Sequence, residues 1–467
     1  MFLERFPCLF PHFGLYCHTQ ILYKTEMSYH VVVIGGGISG ISAAWTLRKS
    51  GVEVTLIEAR PQLGGRLASY RSPALPTPLD NGPHLFLSTY LRTRALLEEM
   101  GVGDDFFYPY PGSIPFALSG GSRGSLNEWF LPAPLNFAGG LLGFQLLSMK
   151  ARWRTLKTVQ GLLYEETDPT QSIAAWLESH SYPEERAFFW KPLAKAALNS
   201  PLEVQPVRYL QAVLREGFCR GFFGGRLGFA RKPLSTILGN GMCKALETAG
   251  VRIQTSIRSS AGVFNRNRIA ALRFNEGKSV SCDAVILALP PWALADWLMK
   301  TDHSELYKLA TLAQCWSSQP ITSIYLWAEH RPWLEPFTCL PDQPVAWVFD
   351  YSRLWGKARA PLGLMLDVNS GMGLWKRGNR SLRQIITAID TSIPQLLGVQ
   401  WSAIRWVTER RATPLKPQHL WSERLSQETS IPNLLLAGDW LDSDLPPTVE
   451  AAVRSGERAA SLLLDKG

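Results

Sequence analysis

The stretch Val31–Glu58, VVVIGGGISGISAAWTLRKSGVEVTLIE, restricts this chain more than any other. Val31–Ile34 is an unbroken apolar run with the β-branched content of a buried parallel strand. Gly35-Gly36-Gly37-Ile38-Ser39-Gly40 follows at once and fits G-x-G-x-x-G. Helical spacing over Ile41–Lys49 makes Ala43, Ala44 and Leu47 packing positions, and Gly51 ends the helix in the left-handed conformation that glycine adopts cheaply. Val52–Ile57 then reads as a second strand, closed by Glu58. A unit of this order binds a dinucleotide. Gly35 makes the tight turn, Gly37 admits a pyrophosphate to the backbone, and Gly40 lets helix and strand pack closely. Ile38 and Ser39, within the motif, are candidate cofactor contacts, and the helix N-terminus that follows offers unpaired N–H groups and partial positive charge to the anion. Glu58, eighteen residues after Gly40, is placed to accept hydrogen bonds from ribose hydroxyls and disfavours a 2′-phosphate.

The next residues choose the nucleotide. Glu58-Ala59, followed by Gly64-Gly65-Arg66, resembles the E-A-x-x-x-x-G-G-R segment of the flavoprotein amine oxidase and carotenoid desaturase superfamily. In that superfamily the dinucleotide is FAD. Two glycines allow a second backbone approach, and Arg66 brings a cation to the pyrophosphate. Further on, Asp80-Asn81-Gly82-Pro83-His84 resembles the D-x-G-x-H segment found near the flavin ring in carotenoid desaturases. It makes Asn81 and Gly82 cofactor contacts and His84 a candidate acid/base, the alternative being a histidine that only fixes its loop.

At the other end, Leu434–Ala437 reads as a buried strand running into Gly438-Asp439, and Leu445-Pro446-Pro447-Thr448-Val449-Glu450 opens a helix through Ala451–Leu464. Thr448, or Ser443 upstream, is the candidate cap. The Thr448–Val449 N-terminus aims its dipole at the flavin pyrimidine end, and Asp439 is placed at the ribityl or pyrophosphate region, as the matching acid is in relatives. Ile257 is a backbone contact candidate on the adenine side, with a plain core role as the alternative. No cysteine lies near this terminal motif, so FAD is expected to be non-covalent.

The segment Gly438–Gly456, with Leu131-Pro132-Ala133-Pro134, Trp190-Lys191-Pro192-Leu193 and Ala196-Ala197-Leu198-Asn199, narrows the resemblance to the squalene-associated FAD-dependent desaturases. Their characterised activity is hydroxysqualene dehydroxylation in hopanoid biosynthesis. Pro83 stands where that pattern has glutamine, and Pro447 and Ala451 stand where it has small residues. The resemblance implies a reductive reaction: hydride from reduced FAD replaces the hydroxyl of a C30 isoprenoid alcohol. A proton donor assists departure, with His84 and Asp80 as candidates and Glu203 a third by position alone. Same-fold rivals are a carotenoid desaturase and an amine or protoporphyrinogen oxidase; a FAD-binding scaffold without turnover is the rival from another class. The electron donor is not legible.

The implied fold is α/β: a Rossmann-type FAD-binding domain interleaved with an α+β substrate domain of sheet and helices, amine-oxidase-like. Residues 27–90, 233–290 and 426–467 are read as the FAD-binding parts, and 91–232 and 291–425 as the substrate parts. Residues 1–26 look like an upstream extension or mis-called start, or else a membrane-touching arm. The aromatic, apolar run 106–149 falls short of the ~20 apolar residues of a spanning helix. It is followed by Lys150, Arg152, Trp153, Arg154 and Lys157, which predicts a peripheral, monotopic contact on the inner membrane face of a cytoplasmic protein, or simply a solvated basic face. A net charge of +9 fits an anionic membrane surface, and no nucleic-acid motif accompanies it. The seven cysteines form no C-x-x-C, so neither a zinc site nor a disulfide frame is expected.

Overall fold

The apolar run Val31–Ile34 becomes the middle strand of a five-stranded parallel sheet, as its double-sided hydrophobicity demands. This strand, β1 (His30–Ile34), leads through α1 (Ile38–Lys49) to β2 (Glu53–Ile57). The sheet order is Arg252–Gln254, β2, β1, Ala284–Leu287, Leu434–Leu436. Three distant segments of chain thus meet in one sheet. In this computed structural model residues 29–466 are described, except 72–74, 76, 110, 221–223, 276, 342, 369–378, 424 and 442–443. The extension 1–26 and the alternative cap Ser443 lie outside them.

Alternation along β1 separates two cores. Val31 and Val33 pack with α1 and the closing helix Val449–Leu464, whereas Val32 and Ile34 pack with Leu294, Trp297, Leu298, Trp316 and Trp440. This corrects the division read from the sequence. Helix Leu91–Glu99 gives Leu96 and Leu97 to the first core, and helix Pro291–Thr301 gives its buried face to the second. Both therefore belong with the nucleotide sheet, because that is where their apolar faces are buried.

The closing helix lies unusually close to α1. A Cβ on Gly456 would stand 2.1 Å from the Ser39 carbonyl oxygen, and the Ser42 hydroxyl donates to the Val453 carbonyl at 3.0 Å. Thr448 caps this helix by accepting from the Ala451 N–H at 3.2 Å. Glu450 is buried and caps a different helix: it accepts from the N–H groups of Arg92 (3.1 Å) and Thr93 (2.9 Å) and from the Thr93 hydroxyl (2.8 Å). Hydrogen bonds to a charged group are worth about 1.5–3 kcal/mol. Glu450→Gln is expected to cost an amount in that range in a denaturant titration of the apoprotein, with the midpoint moving and the slope unchanged.

The substrate half is built on a mixed seven-stranded sheet, in the order Ala403–Leu415, Ser317–Trp327, Leu362–Leu366, Val345–Asp350, Phe337–Cys339, Ser113–Ala117, Arg123–Asn127. Helices from the 135–218 region pack on it around the buried Trp190. Two of them wind into π-helix, at Arg186–Trp190 and Val213–Phe218, the kind of irregularity that gathers at functional sites. Among the described residues no helix is long and apolar enough to cross a membrane.

Candidate functional site

The turn after β1 is shaped by backbone contacts that exclude side chains. Gly35 has φ +107°, and a Cβ there would lie 2.3 Å from the Ala288 carbonyl oxygen. A Cβ on Gly40 would lie 1.9 Å from the Gly35 carbonyl oxygen, so Gly40 is a packing residue one helical turn below the site. Gly37 differs: the only atom within reach of its would-be Cβ is Gly65 Cα at 3.9 Å, and Gly37 lines a cavity. Glycine there keeps space for a ligand. Gly37 also starts α1 without any side-chain cap, leaving the N–H groups above Ile38 and Ser39 for an anion. Gly64 (φ +114°) and Gly65 (φ +58°) fold the second turn against the first, with the Gly64 N–H donating to the Gly36 carbonyl at 2.8 Å.

Glu58 is held in place by two backbone donors. Its Oε2 accepts from the Gly36 N–H and its Oε1 from the Arg60 N–H, both at 2.7 Å. Beyond it Ala59 and Ile257 line the cavity; the Ile257 N–H donates to the Glu58 carbonyl at 3.1 Å, after a strand that stops at Gln254. Opposite, Arg66 pairs with Asp439 at 2.5 Å and donates to the Ala412 carbonyl at 3.1 Å. Gly438, Thr448 and Val449 complete this end, and the Tyr90 hydroxyl bonds Thr448. A glycine cradle with an open face, an uncapped helix N-terminus, an oriented carboxylate and a paired arginine fit a dinucleotide.

The same cavity continues beyond the cradle. Its volume is about 930 Å³, and the far part is walled by hydrocarbon: Ile114, Phe116, Phe137, Phe189, Leu193 and Met365 among others. The two families of wall belong to the two halves of the molecule. Ala196 and Ala197, on helix Lys191–Leu198, leave room on one side. Asn199, in the left-handed conformation at that helix's end, lines the wall, and its amide donates to the Thr413 hydroxyl at 3.0 Å. The sequence shows Asn199 only as the last residue of the Ala196–Asn199 stretch that carries the resemblance; its pairing with Thr413, far along the chain, is a tertiary fact with no local signal. Glu216 also faces in, paired with Arg220 at 2.7 Å and Arg454 at 3.6 Å.

The acid/base candidates part company. His84 lines the cavity beside Asn81 and Gly82, with its Nε2 at 3.3 Å from Asn81 Oδ1. Burial, with the nearby Arg66 charge in support, pushes its pKa down to about 4, so the ring is neutral at neutral pH. Gly82 has only ordinary contacts around a would-be Cβ, 3.5 Å to Ile321, so the fold itself does not require glycine there. Asp80 does not line this cavity. It is buried behind it, where Oδ1 accepts from the Ser69 hydroxyl at 2.7 Å and the Leu234 N–H at 2.9 Å. Glu203 is exposed and away from the cavity, because the turn after Asn199 carries it outward. Neither carboxylate can touch a substrate bound in the cavity.

Comparison with known proteins agrees with this geometry. The profile of the family described as Flavin containing amine oxidoreductase matches residues 38–464. A hydroxysqualene dehydroxylase from Rhodopseudomonas palustris is 29% identical over 94% of this chain and 100% of its own. A 15-cis-phytoene desaturase from Capsicum annuum is 24% identical over 93% of this chain and 77% of its own. Among solved structures, an oxidoreductase from Methanosarcina mazei superposes with a TM-score of 0.71 at 17% identity, covering 92% of this chain and all of the other. At that identity the likeness speaks for the fold alone.

Proposed function

The chain belongs to the flavin containing amine oxidoreductase family, a flavin-dependent oxidoreductase, and on that premise we propose that it binds FAD non-covalently and reductively dehydroxylates a C30 isoprenoid alcohol, hydroxysqualene, to squalene. The observation that carries this reading is the single cavity of about 930 Å³ joining the dinucleotide cradle to a hydrocarbon-walled chamber. Gly35, Gly37 and the α1 N-terminus would hold the pyrophosphate, Glu58 the adenosine ribose, and Arg66 with Asp439 the ribityl side. No cysteine among the described residues lines the cavity, which supports a non-covalent cofactor. When bound and reduced, the flavin supplies the hydride that takes the place of the hydroxyl group.

The chain's own residues do the rest. The chamber desolvates the polyene and keeps water from the reacting carbon. Asn199 and Thr413 form a donor–acceptor pair of the kind an alcohol takes, set in a wall that is otherwise largely apolar. His84 borders the cavity and is neutral, so its N–H can serve the leaving oxygen as one end of a relay in which the other ring nitrogen is reprotonated. Trp129, Phe130, Leu131 and Leu135 are exposed on a segment whose neighbours Leu126 and Phe137 line the chamber. With Trp153 exposed on the basic helix Met149–Tyr164, this supports a lipid substrate drawn from the inner membrane face by a peripheral protein.

A carotenoid desaturase, running the flavin oxidatively, is the second reading, favoured by the same apolar chamber and by the likeness to a phytoene desaturase. An amine substrate fits the chamber poorly, since Glu216 is already paired with two arginines. Anaerobic incubation of the FAD-loaded protein with a reductant and hydroxysqualene, with mass spectrometry of the lipid extract, is expected to yield squalene only when the flavin is reduced. Phytoene gaining double bonds under oxidising conditions, with no squalene formed, would transfer the assignment to the desaturase.

A further inference from the structure

Beside the principal cavity lies a second, small space of about 20 Å³, bordered by Asp80, His84, Phe229, Leu234 and Tyr351, of which all but His84 are buried. A space of roughly 10–15 Å³ is enough for one water molecule, provided it offers polar partners. Here the partners are at hand. Oδ1 of Asp80 is occupied by Ser69 and Leu234, and Oδ2 takes no hydrogen bond among the described residues. His84 borders both spaces, and only its Nε2 is bonded, weakly, to Asn81. The imidazole therefore stands between a buried carboxyl and the reaction chamber, with Pro83 and Phe349 beside it.

We infer that Asp80 stores the proton for the leaving hydroxyl group and passes it through one water molecule and the His84 ring into the principal cavity. The inference rests on the dehydroxylation reading above. In the step it serves, the substrate C–O bond breaks, the carbon gains the hydride of the reduced flavin, and the oxygen leaves as water with a proton from one nitrogen of His84. The other ring nitrogen takes a proton from a water in the small space, which takes one from Asp80. Charge balances: the hydride's electron pair closes on carbon, and the negative charge ends on the Asp80 carboxylate. The route run backwards recharges Asp80 after the products leave.

A plain structural staple would not need an acid here. Asparagine would satisfy Ser69 and Leu234 equally and carry no ionisable group into the interior. Burial, opposed by the Ser69 and Leu234 hydrogen bonds, raises the Asp80 pKa to about 7, so the carboxyl exchanges its proton near neutrality. The other titratable groups facing it are His84, Tyr325, whose hydroxyl donates to the Asp80 carbonyl at 2.7 Å, and Tyr351, hydrogen-bonded to Tyr325; Arg66 acts on His84 from the far side. Burial drives both phenols up, and His84 lies near 4, which leaves Asp80 as the group in this cluster that titrates around pH 7.

Asp80→Asn in the FAD-loaded protein tests this. Flavin content and KM are expected to hold, kcat to fall about ten- to a hundredfold, and the inflection of kcat near pH 7 to vanish. Infrared difference spectra of the wild type should show a protonated carboxyl band that titrates in the same range and is missing from the variant. If the variant does not fold, single-turnover solvent isotope measurements on the wild type decide: a curved proton inventory is expected, and a linear one overturns the relay. A wild type that leaves hydroxysqualene unreduced sinks the dehydroxylation reading, and the relay with it. A wild type that reduces it, while Asp80→Asn keeps the same rate and pH profile, sinks the relay alone.

Discussion

Gly37→Ala is expected to fold normally and to bind FAD poorly. The backbone at this position has φ −72° and ψ 172°, which alanine adopts freely. Its new Cβ would meet nothing of the protein closer than Gly65 Cα at 3.9 Å. All the interference falls on the cavity side, where the pyrophosphate must approach the backbone. Forcing one methyl into a close contact costs about 1–3 kcal/mol, or roughly 5- to 150-fold in Kd. Gly40→Ala makes the contrast, since its Cβ would overlap the Gly35 carbonyl oxygen at 1.9 Å. The Cβ position is fixed by the backbone and the oxygen is itself backbone, so the overlap cannot relax by a rotamer change and more than about 4 kcal/mol of stability is at stake. Thermal unfolding of the two apoproteins and flavin fluorescence titration separate the effects. A Gly37→Ala protein that binds FAD as tightly as the wild type would show that the pyrophosphate does not lie against this turn.

The contrast between these glycines shows what a sequence carries and what it hides. G-x-G-x-x-G with its flanking strands is local grammar: each glycine is required by a neighbour a few residues away or by the next strand. The turn, the strand pair and the oriented Glu58 were therefore legible. The closing motif is legible for the same reason, although nothing local shows that Glu450, besides pairing with Arg454 on its own helix, also caps the helix at Leu91. Strand Arg123–Asn127 was not foreseen, because Arg-Gly-Ser-Leu-Asn has no β-branched residue and pairs only as a sheet edge. Helix Asn379–Ser392 carries a local signal in Ile385 and Ile389, spaced four apart and buried, but in a stretch rich in polar residues it is a weak one. Asp80 and His84 sit four residues apart, yet one faces the cavity and the other its back wall. That separation depends on strand Leu79–Asp80 pairing with Ser69–Tyr70, which spacing alone cannot reveal.

Ala196→Trp is expected to abolish lipid turnover while leaving the flavin in place. Ala196 lines the chamber from helix Lys191–Leu198, which contributes nothing to the glycine turns, to Glu58 or to the Arg66–Asp439 pair. An indole projected from this position enters the empty side of the wall, where the chamber has room for it, so the fold and its Lys195–Asp367 ion pair at 2.6 Å should survive. The polyene alcohol proposed as substrate, in contrast, must thread past the same wall to bring its oxygenated carbon to the flavin. Displacing a reacting atom by about 1 Å is enough to cost on the order of 10²-fold, and a blocked chamber costs more. Flavin absorbance of the purified variant, photoreduction of that flavin, and squalene formation under anaerobic conditions report on the three parts in turn. Wild-type flavin content, normal photoreduction and no squalene place the isoprenoid in this chamber. Unimpaired squalene formation would mean that the substrate reaches the flavin by another path, and the hydrocarbon wall would then be an ordinary core with a hole in it.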